Sequence, residues 1–247
     1  MTRLNVDHES VVAEVECLSD DERARADRIQ FLRDRRRFVI ARARLRQLLA
    51  SLLNAHPKSI RLKYDRCGKP ELAGHMATSN LKFNLSHSED VAVYAFAWGS
   101  NVGIDVEALR PLASADEIAA RFFSCRENEA YLALMPRDRP LGFFNCWTRK
   151  EAFIKTLGDG LYYPLDRFDV SLIPGEPAKI LRVGDAYADK CGWSMESFCP
   201  APGFVAAIAT CSAPTSCRWP PVGIEIGSRW LRFSTRVTTD GYVHGAD

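Results

Sequence analysis

Two carboxylates stand two positions apart in the mostly apolar stretch VGIDVEAL, residues 102–109. In a β-strand the side chains alternate between the two faces, so Asp105 and Glu107 would share one face and the branched apolar residues the other. Like charges on one face repel unless a cation lies between them or one takes up a proton, and oxygen ligands suit Mg²⁺ or Mn²⁺. A metal site is one interpretation. The other is an exposed edge strand with an acidic polar face.

A second group of residues lies in WTRKEAFIK, residues 147–155, which has the spacing of a helix. Glu151 and Lys155 are four positions apart and would share one helix face with Trp147. A carboxylate that receives a proton, beside an ammonium that steadies a leaving phosphate, suits general base catalysis of phosphoryl transfer. The alternative is an exposed salt bridge with no catalytic role.

Ser86, His87 and Ser88 form a third group, at the end of a strand predicted over residues 81–88. Their hydroxyls and imidazole suit hydrogen bonding to phosphate, and the alternative is that His87 caps a turn. The pattern G-x-S-x-G is absent, which argues against a Ser-His-Asp triad. No P-loop and no G-x-G-x-x-G follows a predicted strand, which argues against an ordinary ATPase or a dinucleotide enzyme.

Arginine is concentrated in one segment, residues 23–46, which holds ten arginines against two acids. The planar guanidinium favours bidentate contact with phosphate, so some of these arginines are candidates for phosphate binding. A heavily solvated helix is the alternative interpretation. The net charge of the whole chain is only +2, so the charge is informative through its distribution.

The chain has 247 residues, of which 47% are hydrophobic, enough for a packed core. No stretch approaches the roughly 18 apolar residues of a membrane span, and the first thirty residues are too charged for a secretory signal. We therefore expect a cytoplasmic protein without membrane contact. The eight cysteines are scattered without a C-x-x-C pair, so we expect most of them to be reduced thiols, and neither zinc nor a thiol nucleophile is indicated.

The patterns of polar and apolar residues predict a mixture of helices and strands. One helix starts at Ser19, and a long one runs over residues 34–54 with a buried stripe of leucines. The long helix and the strand after it are echoed about 110 positions later, which suggests two similar halves. Past Cys211 the chain reads as a poorly constrained tail with one added strand near Trp230. The other predictions are strands at 81–88, 91–98, 169–173, 193–198 and 204–210, a helical region at 114–134 and a helix at 141–157.

In order and spacing, five motifs together resemble the Sfp-type 4′-phosphopantetheinyl transferases. The resemblance covers roughly residues 18–210. The motifs are GKP at 68–70, FNLSHS at 83–88, GIDVE at 103–107, RFF with RENE at 121–129, and WTRKEAFIKTLGDGL at 147–161.

The resemblance implies transfer of the phosphopantetheine arm of coenzyme A to a serine hydroxyl of an apo acyl or peptidyl carrier protein, with release of adenosine 3′,5′-bisphosphate. It implies a monomer of α+β fold, whose two similar halves are related by pseudo-twofold symmetry. Each half would be a small antiparallel sheet packed on a long helix, with the active site in the cleft between them. We expect the halves at residues 1–100 and 101–212, followed by a divergent tail at 213–247.

The resemblance also implies roles for individual residues. Mg²⁺, or Mn²⁺, would be held by Asp105, Glu107 and Glu127. Glu151 is the preferred base for the carrier serine, with Glu127 as the alternative, and Lys155 would stabilise the diphosphate. The residues expected to contact coenzyme A are Arg25, Arg28, Arg37, Lys69, Ser86, His87, Asp105, Lys150 and Lys155.

Two other functions compete with this one. The arginine-rich helix could bind nucleic acid, against which stand the small net charge and the lack of a recognised binding motif. The acids could also serve a metal-dependent nucleotide phosphohydrolase, which would transfer to water. The sequence does not distinguish carriers of fatty acid, polyketide or nonribosomal peptide synthesis.

Overall fold

The computed structural model describes residues 1–66, 68–158, 163–183, 192–212, 222–226 and 229–233. The DGL end of the fifth motif, residues 159–161, and most of the tail lie outside the described residues. The elements of the first hundred residues are β1 (Thr2–Arg3), α1 (His8–Val15), α2 (Asp20–Asp27), α3 (Leu32–Leu53), β2 (Leu62–Tyr64), β3 (Pro70–Leu72), β4 (Leu81–Ser88) and β5 (Val91–Trp98).

The first half packs the long helix α3 against the antiparallel pair of β4 and β5. Leu45, Leu48 and Leu49 of the predicted stripe are buried in this core. The hydroxyl of Tyr94 on β5 donates to the carbonyl of Ala41 in α3 over 3.0 Å, which fixes the helix to the sheet. Helix α2 begins after Ser19, as predicted, and its Glu22 carboxylate accepts from the Ser19 backbone N–H.

The elements that follow are β6 (Asn101–Ala108), α4 (Ala115–Phe122), α5 (Cys125–Leu132), α6 (Arg139–Leu157), β7 (Asp169–Val170), β8 (Ile180–Arg182), β9 (Gly192–Phe198) and β10 (Phe204–Ser212). The helical region predicted over 114–134 is two helices. Phe123 is extended, and Ser124 starts α5 with a capping box in which its hydroxyl accepts from the Glu127 N–H and its own N–H donates to the Glu127 carboxylate.

Helix α6 packs on the second sheet, whose strand order is β6, β10, β9. Gly103 permits this close approach, because a Cβ atom at its position would lie 2.1 Å from the carbonyl oxygen of Ala152 and 2.5 Å from the backbone nitrogen of Thr156. Each half therefore combines a long helix with an antiparallel sheet. The predicted α+β class is confirmed.

A third apolar cluster joins the two sheets. Val102, Ile104 and Val106 of β6 are buried there with the valines and alanines of β5 and residues of β10. The alternation predicted for β6 is confirmed, since Asp105 and Glu107 lie on the opposite face from these three residues. The apolar face fixes the strand in the core, and the acidic face is left for the cleft.

The tail contributes two strands where one was expected. They are β11 (Val222–Ile226) and β12 (Arg229–Phe233), and β11 pairs with β5. Among the described cysteines, four carry free thiols and Cys211 is disulfide-bonded. None of the helices that the structure describes has both the length and the apolar character needed to cross a membrane.

Candidate active site

The acidic face of β6 is held by donors from two other elements. The Oδ1 atom of Asp105 accepts from the Ser86 hydroxyl of β4 and from Lys155 Nζ of α6, both over 2.7 Å. The Oε2 atom of Glu107 accepts from the Ser88 hydroxyl over 2.7 Å. Asp105 is only 5% exposed, and its second oxygen, Oδ2, is buried with no hydrogen-bond partner. One carboxylate oxygen therefore remains available for a ligand that the protein itself does not supply.

Helix α6 brings Glu151 and Lys155 to the same place, as their spacing predicted. Burial is the main reason that the pKa of Glu151 is raised to about 6. Lys155 opposes this shift, whereas the charges of Asp105 and Glu107 add to it. The same causes act on Glu107, whose pKa is raised by burial and by Asp105. The three carboxylates thus form one repelling group, with Lys155 as its cation.

A cavity of about 700 Å³ opens beside this group. Lys69, Ser86, His87, Glu151 and Lys155 line it, and the loop before β3, strand β4 and helix α6 supply them. The pKa of His87 is lowered by desolvation and by the nearby charges of Lys155 and Arg37, which favour the neutral imidazole. The cavity therefore combines polar and cationic groups suited to a phosphorylated ligand.

Lys69 has a second function in this geometry. Its ammonium donates to the carbonyl oxygen of Lys155 over 2.6 Å and reaches that of Val102 at 3.5 Å. Desolvation lowers its pKa. The lysine of the GKP motif therefore ties the first half of the chain to the last turn of α6 while it lines the cavity.

The structure pairs Glu127 and Lys150 with each other in the second core, and neither lines the cavity. Lys150 Nζ and Glu127 Oε2 are paired at 2.7 Å, with side-chain exposures of 0% and 2%. Lys150 also donates to the carbonyl oxygens of Leu165 and Phe168, and Glu127 Oε1 accepts from the Val170 N–H. Because both charged groups are saturated by partners inside the second core, their positions do not support a metal, base or coenzyme role.

The predicted arginines lie in different surroundings. Arg37 is paired with Asp90 at 2.8 Å and with Glu89 at 3.2 Å. The Arg25 guanidinium lies over the rings of Phe38 and Tyr64. Arg28, at the end of α2, is exposed. Of these three arginines, Arg37 acts on a cavity residue, because its charge lowers the pKa of His87.

Arg42 is a functional candidate that the sequence did not single out. It lines the cavity, is 7% exposed, and lies over the same rings of Phe38 and Tyr64 as Arg25 does. Its Nε is 3.6 Å from Glu22 Oε1, but its Nη1 is buried without a hydrogen-bond partner. Nothing in a run of ten arginines marked Arg42 as the one with an unsatisfied donor at a cavity.

No group of three or more His, Cys, Asp or Glu side chains within the described residues is arranged to hold a metal ion. The residues nevertheless fit a hard divalent cation of the Mg²⁺ kind. Mg²⁺ is usually bound by one or two carboxylates together with water and substrate phosphates. Asp105 and Glu107 supply two carboxylates, and the unpartnered Oδ2 of Asp105 is an oxygen that a cation would satisfy.

Comparison with known proteins gives two family matches. Residues 101–209 match the 4′-phosphopantetheinyl transferase superfamily, and residues 5–98 match a family described as 4′-phosphopantetheinyl transferase, N-terminal. The two matches cover the sequence on either side of the turn between β5 and β6. They include Asp105, Glu107 and the residues named above as lining the cavity.

Curated relatives extend the similarity. The chain is 40% identical over 192 residues to the 4′-phosphopantetheinyl transferase HetI of Nostoc, covering 78% of each chain. It is 32% identical over 155 residues to the 4′-phosphopantetheinyl transferase Sfp of Bacillus subtilis, covering 63% of this chain and 66% of the relative. A solved ACPS-CoA complex of Chronobacterium ammoniagenes overlaps 47% of this chain and 98% of its own, with a TM-score of 0.37 and 15% identity.

Proposed function

Because the chain belongs to the 4′-phosphopantetheinyl transferases, we propose that it transfers 4′-phosphopantetheine from coenzyme A to a serine of an apo acyl or peptidyl carrier protein. Adenosine 3′,5′-bisphosphate is the second product. The observation that carries the proposal is that Glu151 and Lys155 line one cavity of about 700 Å³ and that Lys155 donates from there to Asp105 over 2.7 Å. A proton acceptor, an anionic metal-ligand pair and a cation for phosphate lie together there.

Asp105 and Glu107 would hold the divalent cation, Mg²⁺ or Mn²⁺. The unpartnered Oδ2 of Asp105 supports this assignment. Burial, and after it repulsion by Asp105, raises the pKa of Glu107, so a cation there would relieve an unfavourable charge. When bound, the cation would neutralise negative charge on the pyrophosphate of coenzyme A. In its absence Lys155 is the group that balances Asp105, at 2.7 Å.

Glu151 would accept the proton of the carrier serine. The serine oxygen forms a bond to the phosphorus on the pantetheine side, and the pyrophosphate P–O bond to the adenosine side breaks. A base with a pKa of about 6 is ionised at pH 7, and it holds a proton better than an ordinary carboxylate does. General base catalysis near neutral pH requires both properties, an ionised carboxylate and a raised affinity for the proton.

Lys155 would stabilise the negative charge that develops on the leaving phosphate. Its ammonium is held between Asp105 and the Ser86 hydroxyl, at 2.7 and 3.4 Å. A cation fixed beforehand needs no reorganisation when that charge appears.

The coenzyme would lie along the cavity with its phosphates toward Lys69, Ser86 and His87. We add Arg42 to the arginines proposed for its phosphates, because a buried guanidinium with a free donor gains from an anionic partner. Arg25 lies over the same two aromatic rings as Arg42, and it stays a proposed contact for the phosphates. Arg37, already paired with two acids, would act on the cavity through its charge.

The organisation of the chain fits the same proposal. The halves at 1–100 and 101–212 would act as two domains that share the cleft, and the separate family matches at 5–98 and 101–209 support this division. The tail at 213–247 is proposed as a divergent addition. A monomeric state and a cytoplasmic location stay predictions.

The proposal is tested by incubating the protein with coenzyme A, Mg²⁺ and several apo carrier proteins, followed by intact mass measurement of the carriers. A carrier that gains one phosphopantetheine supports the function. Hydrolysis of coenzyme A to 4′-phosphopantetheine and adenosine 3′,5′-bisphosphate, with no mass gain on any carrier, would favour the phosphohydrolase. The nucleic-acid alternative loses support because Arg37 and Arg46 are engaged with acids of the protein itself.

A further inference from the structure

Side chains of β4 bridge the edge where the first sheet meets β6. Asn84 Oδ1 accepts from the Ile104 backbone N–H over 2.8 Å, and Ser88 Oγ accepts from the Ala108 backbone N–H over 3.1 Å. These bonds satisfy backbone donors on the edge of β6 that faces away from β10. We refer to Asn84, Ser86 and Ser88, with the part of β6 that they contact, as the β4–β6 seam.

The serines of the seam have the same spacing on β4 as the two acidic residues have on β6. Ser86 and Ser88 are two positions apart on β4, as Asp105 and Glu107 are on β6, and each serine donates to one carboxylate over 2.7 Å. Both serines are buried. The first half of the chain therefore holds one oxygen of each carboxylate that the second half supplies.

The hydroxyl of Ser88 has little freedom in this arrangement. A hydroxyl has one proton to donate, and Ser88 Oγ already accepts from the Ala108 N–H, so its proton is directed to Glu107 Oε2. Ser88 is 7% exposed, so water does not easily compete for that bond. The Glu107 carboxylate is thereby held in one orientation by a residue of the other half.

We propose that Ser88 is a positioning residue of the divalent-cation site. It presents Glu107 to the cation in the orientation that binding needs, and its loss weakens cation binding without removing a ligand. Groups that orient metal ligands in this way change metal affinity by about 10 to 100-fold when they are removed. The inference rests on the proposed function, because it assumes that Asp105 and Glu107 bind the cation.

The test measures Mn²⁺ binding directly, by the electron paramagnetic resonance signal of free Mn²⁺ in the presence of coenzyme A. Ser88→Ala is expected to bind Mn²⁺ about 10-fold more weakly than the wild type. Ser88→Thr, which keeps the hydroxyl, is expected to restore binding. Ser51→Ala, at an exposed position of α3, is the matched control and is expected to bind as the wild type does.

A double-mutant cycle separates positioning from a general structural effect. If Ser88 acts through Glu107, Ser88→Ala has little further effect on Mn²⁺ binding in a Glu107→Gln background. Coenzyme A binding without metal and the melting temperature are recorded for every variant. Ser88→Cys, whose thiol is a weaker hydrogen-bond donor than the hydroxyl, replaces Ser88→Ala if the alanine variant does not fold.

Three results would overturn the inference, and they differ in what else they reject. A folded Ser88→Ala that binds Mn²⁺ as tightly as the wild type rejects the role of Ser88 and leaves the proposed function intact. A wild type that binds no Mn²⁺, with or without coenzyme A, rejects the proposed metal site and the inference with it. Equal losses from Ser88→Ala in the wild-type and Glu107→Gln backgrounds would also reject positioning through Glu107.

Discussion

At the residue scale, Asp105 is the most constrained side chain of the site. It accepts from Ser86 and Lys155 with one oxygen and leaves the other buried and unpartnered. Asp105→Ala removes the proposed ligand, and we expect metal-dependent turnover to fall by roughly 10²-fold or more, the size seen when one preorganised electrostatic group is lost. Steady-state kinetics across a Mg²⁺ titration measures this.

The fold is expected to survive this substitution, because Asp105 contributes repulsion as well as hydrogen bonds. Circular dichroism and the melting temperature check that it does. Glu117→Ala, on the exposed part of α4, is the matched control for removal of an acid. Near-normal activity of Asp105→Ala at limiting Mg²⁺ would show that the ligand assignment is wrong.

The pKa of Glu151 gives a second prediction at this scale. Its raised pKa of about 6 means that the carboxylate is ionised above that pH and protonated below it. A proton acceptor must be ionised, so kcat/KM is expected to fall about tenfold per pH unit as the pH drops below about 6. A pH profile between 5 and 8 measures it. A profile that is flat from pH 5 to 7 would reject Glu151 as the base.

Lys150 and Glu127 give a prediction about stability. Lys150→Met leaves the Glu127 carboxylate buried without its cation, and breaking such a pair costs about 3 to 5 kcal/mol in the free energy of unfolding. Urea unfolding measures the loss, and Glu127→Gln in the same chain is expected to restore part of it. A stable Lys150→Met with a raised KM for coenzyme A would instead support the coenzyme contact expected from the sequence.

At the element scale, the packing of β6 on α6 holds the two parts of the site together. Gly103→Ala would place a Cβ atom 2.1 Å from the backbone oxygen of Ala152, and neither backbone can move without shifting the strand or the helix. We expect a severe loss of stability and of activity together. Thermal unfolding measures the loss. Gly175→Ala is the comparison variant, because a Cβ atom there would meet nothing within 4 Å and only the φ of +86° disfavours alanine. The two variants together separate steric overlap from backbone strain. An unchanged melting temperature for Gly103→Ala would contradict the close packing.

Many elements and several site residues could be predicted from the sequence, because their signals are local. Each of these signals spans only a few neighbouring residues. Examples are the alternation of β6, the cap of α2 and the spacing of Glu151 and Lys155. The break between α4 and α5 was missed, because one capping box at Ser124 interrupts an otherwise helical pattern. That same box uses the Glu127 carboxylate, which also pairs with Lys150 in the second core.

At the scale of the whole molecule, the site depends on contacts between distant parts of the chain. Lys69 reaches the carbonyl of Lys155 across 86 positions, and Ser86 reaches Asp105 across 19. A pattern of residues does not reveal such pairs, so the seam, the Lys69 contact and Arg42 were found only in the structure. The two halves are chemically incomplete alone, because the second supplies the carboxylates with Lys155 and the first supplies the serine donors.

The most direct test of this account is the mass of an apo carrier protein after incubation with coenzyme A and the wild-type protein, with Mg²⁺ and with EDTA in parallel. The account predicts a gain of one phosphopantetheine on the carrier serine with Mg²⁺, no gain with EDTA, and a large loss of the gain with Asp105→Ala. Modification that is equally fast in EDTA, or no modification of any of several acyl and peptidyl carriers by a folded protein, would contradict it.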